Sequence, residues 1–287
     1  MQLDLFEHSR DVMLRNAVVE AIRARDADRA KSAMIALQAA YPADTLVPEL
    51  DALVGKLAMS PWSGGLAPDE AAVEVRATEK VLVPAAQRIL GEDAAAWLAP
   101  FWRALAEAIV GQAYEPEAPH AAWLYLRAGD WQAAIDAIET IPSWRRKPGP
   151  LGWMVEALYR RTGAPALWPM SAELAWMAPQ AARSLLARLA DNDLSKQLKC
   201  FDRECEAAGE SDGFAWFPAW LLIEDSGYAT LIGAAEKSND RAPERGARLI
   251  LALLSLERQG RHAELIENRR RLRDLDGALF AHYMKSR

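Results

Sequence analysis

The stretch 121–142, AAWLYLRAGDWQAAIDAIETIP, restricts the fold of this chain more than any other. Ahead of Ala128-Gly129-Asp130, the residues Ala122, Tyr125 and Leu126 recur at the spacing of one helix face. Behind it, Trp131, Ala134, Ile135, Ile138 and Ile141 do the same. Gly129 suits the left-handed conformation that ends a helix, Asp130 suits the cap of the next, and Pro142 stops that one. Two short helices folded back on each other expose apolar surface on both sides, so the hairpin requires helical neighbours. No segment alternates with period two and β-branched enrichment, and the expected class is all-α.

Tyr125 late in the first helix, the small-then-acidic turn Gly129-Asp130, Trp131 opening the second helix and Ala134 three positions on resemble a tetratricopeptide repeat. Pro142 falls earlier than that family's closing proline, which shortens the second helix. Two other stretches are similar. Leu14, Ala17, Val18 and Ala21 precede Arg25-Asp26, followed by Ala30, Met34 and Pro42. Leu249, Leu253 and Leu256 precede Gln259-Gly260-Arg261, although Leu265 stands where the family has a small residue. The resemblance covers three separated hairpins, roughly a third of the chain. It implies an irregular right-handed α-solenoid of antiparallel hairpins, and with it a surface for binding a protein partner.

Composition agrees with a packed helical chain. Of 287 residues, 51% are apolar and 26% charged, which excludes disorder. The 34 basic residues against 40 acidic ones give −6, which argues against non-specific nucleic-acid binding. The cysteines Cys200 and Cys205 are too few for a secreted disulfide scaffold, and Asp4 and Glu7 do not suit a signal peptide. No apolar run reaches the ~20 residues needed to span a bilayer. The expectation is a cytoplasmic protein without membrane contact.

In chain order, 1–9 reads as a tail and 10–287 as one helical-repeat domain, with the 60–68 loop (SPWSGGLAP) as the candidate sub-boundary. Helices are expected at 10–24, 28–41, 46–57, 69–90 with a bend at Pro84, and 92–111. After the loop 143–150 come 151–161, short pieces around 171–177 cut by Pro165, Pro169 and Pro179, then 180–190 and 194–208. The run 214–224 (FAWFPAWLLIE) is strongly apolar and interrupted by Pro218, and 228–237, 245–258, 262–273 and 277–285 complete the chain.

Catalytic chemistry leaves little trace. His8, His120, His262 and His282 form no pair at metal-binding spacing, and the cysteines lack the two-residue spacing of zinc or redox motifs. No phosphate loop, dinucleotide fingerprint or nucleophile elbow occurs, so no cofactor, metal or catalytic residue is assigned. The 11 tryptophans are the exception to a plain composition. Trp97, Trp102, Trp123, Trp131, Trp153, Trp168, Trp176, Trp216 and Trp220 lie on or beside apolar helix faces, where they read as core fillers; the competing reading is an aromatic-lined groove or pocket. Trp62 and Trp144 fall in loops, where a large aromatic is more often a contact residue.

Two basic clusters, Arg145-Arg146-Lys147 and Arg269-Arg270-Arg271-Leu272-Arg273, read either as solvated faces or as patches for an anionic partner. The tail carries the sharpest motif. Gln2-Leu3-Asp4-Leu5-Phe6 resembles the short peptide by which bacterial polymerases, repair factors and replication regulators dock on the ring-shaped DNA sliding clamp. The resemblance implies a hydrogen bond from Gln2 at the pocket mouth, with Leu3, Leu5 and Phe6 plugging apolar pockets and Asp4 facing out. The competing reading is a lead-in to the first helix, with Leu5 or Phe6 stapled against Val12 or Met13. The function expected is therefore a non-enzymatic adaptor or scaffold tethered to the clamp. The alternative is a helical-repeat enzyme or small-ligand-binding protein with a Trp-lined pocket.

Overall fold

The computed structural model describes residues 3–59, 65–163, 167–189, 192–205, 212–237 and 240–287, with side chains described except at 3–9 and 192–193. Every described element is helical, and no described residue is in a strand. The chain divides into two compact units, Met1–Ala137 and Ile138–Arg287, each around its own core. The division falls within the second helix of the 121–142 hairpin, Trp131–Glu139, rather than in the 60–68 loop.

In the first unit, α1 (Leu3–Arg23), α2 (Ala27–Ala40) and α3 (Val47–Ala58) pack in succession, and α3 also meets α5 (Val83–Leu90). The expected long helix 69–90 is α4 (Pro68–Ala77) joined to α5 through a π turn, Thr78–Leu82. Pro84 is the cause: it has no N–H to give, and its ring crowds the carbonyl four residues back. Widening one turn relieves the crowding, with Val83 N–H reaching Thr78 O. The helix α6 (Ala94–Ala108) packs on α5 and on α7 (Ala121–Ala128), and α8 (Trp131–Glu139) follows. The indole of Trp97, 5% exposed, donates to Ile22 O at 2.8 Å and ties α6 to α1.

The second unit holds α9 (Pro148–Thr162), α10 (Trp168–Met177), α11 (Pro179–Leu189), α12 (Asn192–Glu204), α13 (Phe217–Glu224), α14 (Ala229–Gly233), α15 (Ala242–Gln259), α16 (His262–Leu275) and α17 (Gly277–Lys285). Pro169 and Pro218 do not cut helices as expected; both sit in first turns, where the missing N–H has no intrahelical acceptor. The run 214–224 is a 3₁₀ turn, Gly213–Trp216, leading into α13. Phe201 on α12, fully buried, meets Phe214, Phe217 and Trp220 edge-on at 5.3–5.7 Å and locks α12 onto α13.

The three hairpins picked out by sequence close in the same way. Gly129, Gly260 and Arg25 each take a left-handed conformation, at φ 77°, 67° and 55°. At each, the left-handed residue's N–H bonds three residues back, and the next N–H bonds five back. The acceptors are Leu126 and Tyr125, Glu257 and Leu256, and Ile22 and Ala21 respectively. Arg25 adopts this conformation without being glycine; its guanidinium donates to Trp97 O and lies over the Trp97 and Phe101 rings at 5.4 and 5.2 Å.

Candidate functional site

Helix α1 begins at Leu3 rather than at residue 10, so Leu3, Asp4, Leu5 and Phe6 occupy its first turn, while Gln2 and the side chains of the other four lie outside what is described. A staple needs a residue ahead of the helix, a position that Leu5 and Phe6 do not hold. The two residues that such a lead-in would cover are open: Val12 is 47% and Met13 61% exposed. Among the residues whose side chains are described, the buried core of the unit begins at Val18.

The loop cluster is built into the second unit. Arg145 donates to both oxygens of Glu173, at 2.8 and 2.6 Å, and to Glu236 Oε1 at 2.8 Å. Glu173, on α10, is 1% exposed and also accepts the Glu236 N–H at 2.7 Å. The hydrogen bonds to Glu173 raise the Arg145 pKa above its ordinary value, against the opposing effect of burial. Arg146 donates to Lys237 O and pairs with Glu236 at 3.4 Å, and Lys147 is half-buried. Trp144 is half-buried against the core rather than standing out from its loop, and Trp62 lies outside the described residues.

The second basic cluster is neutralised along its own helix and by its neighbour. Arg269 reaches Glu257 and the Tyr283 hydroxyl at 3.4 Å, Arg271 pairs with Glu267 at 3.1 Å, and Arg270 and Arg273 lie within 3.8 Å of Asp274. Neither cluster leaves a row of uncompensated positive charge among the described residues.

Of the nine helix-borne tryptophans, Trp97, Trp102, Trp168, Trp176 and Trp220 are buried, and Trp123, Trp131, Trp153 and Trp216 half-buried. Two open concavities follow from these positions. In the first unit, one of about 480 Å³ lies at the Gly129 turn, lined by Tyr125 and Trp131. There Arg103 grips both oxygens of Asp130 at 2.6 and 2.8 Å, binding α6 to the turn.

In the second unit, a groove of about 470 Å³ runs along α17. Its floor is Ala278, Ala281, His282 and Lys285, spaced as one face of that helix, and its wall is Trp216 and Trp220. Asp276 caps α17 by accepting the Leu279 N–H at 2.7 Å, and with Glu204 it puts carboxylates in the groove. His282 Nε2 is 2.8 Å from Glu224 Oε1, at the end of α13. Gly246 on α15 makes room for the wall: a Cβ there would come 2.8 Å from the Trp216 ring and 3.1 Å from Leu279.

Sequence reasoning missed this groove, although the spacing 278–281–282–285 with two alanines was visible. It also missed His120, 5% exposed, whose Nδ1 accepts the Ala122 N–H and caps α7. Burial lowers the His120 pKa. Among the described residues no group of three or more His, Cys, Asp or Glu side chains is gathered in metal-binding geometry. No described helix is long and apolar enough to cross a membrane. No protein-family model, curated protein or solved structure matches this chain.

Proposed function

We propose that this protein is a non-enzymatic helical-repeat adaptor, an irregular α-solenoid whose hairpins present a surface to a protein partner, tethered to the bacterial DNA sliding clamp through Gln2, Leu3, Leu5 and Phe6. The observation that carries the tether is the exposure of Val12 and Met13: the apolar pair that a folded-back lead-in would cover lies open. The position of the peptide supports it too. First-turn N–H groups have no intrahelical acceptors, so Leu3–Phe6 are the least costly part of α1 to unwind onto a partner. The shared closure of the three hairpins, at Arg25, Gly129 and Gly260, supports the repeat reading.

The test is calorimetric titration of the full-length protein with a bacterial sliding clamp. Wild type is expected to bind with a Kd of about 1–10 μM, and the variant with Gln2, Leu5 and Phe6 all changed to Ala at least about 30-fold more weakly. Equal binding by the two proteins, or none by wild type, sinks the tether.

A further inference from the structure

The groove along α17 carries opposite charge at its two ends. Asp276 stands at the start of the helix and Lys285 at its end, about 13 Å apart at the helical rise. Glu204 lines the same groove. Asp276 spends Oδ1 on the Leu279 N–H, and Glu204 spends one oxygen on Arg203 at 2.6 Å, which leaves each an oxygen for a ligand. Lys285 is exposed and has no ion-pair partner among the described residues. The partial charges of the helix ends oppose this polarity, but at about half a charge each they are outweighed by the full charges of the side chains.

We propose that the groove binds a short free peptide of about four residues, its ammonium toward Asp276 and its carboxylate on Lys285. An extended chain covers about 3.3 Å per residue, so about four residues match the separation of the charges. Ala278 and Ala281 let the peptide backbone approach the helix closely, and the half-buried Trp216, backed by the buried Trp220, takes one apolar or aromatic side chain. The volume of about 470 Å³ lies in the range of pockets that enclose ligands of this size. Phe201, edge-on to Trp220 at 5.6 Å, holds that wall in place before the ligand arrives. The site stands on the second unit and is independent of clamp docking.

The probe is the tetrapeptide Ala-Leu-Phe-Ala with free ends, titrated into the full-length protein and followed by tryptophan fluorescence and calorimetry. A Kd of about 10–100 μM is expected. N-acetylation and C-amidation are each expected to weaken binding at least about tenfold. Lys285→Glu should remove the preference for the free carboxylate while keeping that for the free ammonium. Ala281→Leu, on the same exposed helix face, should weaken every form. The variant with Gln2, Leu5 and Phe6 changed to Ala should bind the tetrapeptide as wild type does, which separates this site from the tether. Blocked peptides that bind as tightly as the free one, or no saturation by ~1 mM free peptide, overturn the proposal.

Discussion

Arg145 shows how a residue type can suggest a surface and serve a core. Three basic residues in a row read as a patch, yet Arg145 is the counter-charge of Glu173, a carboxylate 1% exposed. Arg145→Ala strands that charge and is expected to destabilise by about 3–5 kcal/mol in urea unfolding. Arg146→Ala, at an exposed pair 3.4 Å long, should change stability by less than about 1 kcal/mol. Comparable losses from the two variants would mean that the Glu173 pair does not hold the fold. Glu173 itself was a legible oddity, a lone acid in the apolar run WPMSAELAWM, but nothing in the sequence named its partner.

His120 adds a pH dependence at the same scale. Burial lowers its folded pKa below the ordinary value of about 6.5. Below that value the unfolded chain takes up a proton that the folded chain refuses, so stability is present above 6.5 and is lost as pH falls toward the folded pKa. His120→Asn keeps a capping side chain but not the proton, and should flatten stability across that window. A variant whose unfolding midpoint follows pH as wild type does would reject His120 as the source.

Among the elements, the turns were the readable part and the close approaches were not. At Arg25, Gly129 and Gly260 the same left-handed closure recurs, so alanine at any of the three should be less stable than glycine by about 1 kcal/mol. A difference at Gly129 and none at Gly260 would break the equivalence of the hairpins. Gly246 obeys the opposite logic. In mid-helix, alanine would ordinarily gain about 1 kcal/mol. Here its Cβ would meet the Trp216 ring at 2.8 Å, and Gly246→Ala is expected to destabilise by about 1–3 kcal/mol while shifting the emission of Trp216. A stabilised protein with unchanged fluorescence would show that the ring yields freely. Proline taught a related lesson: Pro169 and Pro218 open helices, whereas Pro84 widens one, because position in the turn decides whether the missing N–H matters.

For the whole molecule, the formal charge of −6 and the pairing of both basic clusters point the same way. Double-stranded DNA at ~0.15 M salt should be bound more weakly than ~100 μM, as read by anisotropy. Tighter, steeply salt-dependent binding would show that Arg145–Lys147 or Arg269–Arg273 are available to phosphates after all. On the proposed function, any DNA association is instead expected to need the clamp and the Gln2–Phe6 peptide.

The sequence by itself determined the helical class, the three hairpin turns and most helix boundaries, because these rest on local facts: apolar period, turn residues and capping residues within a few positions of one another. Tertiary structure alone decided the two cores and their division within α8. It decided that Glu173 answers Arg145 and Trp97 answers Ile22, and that α15 approaches Trp216 at a glycine. It also gathered Trp216, Trp220, Asp276 and Lys285 around one groove. Such contacts join residues far apart in the chain, and a period of three to four residues says which face is buried, never what is buried against it.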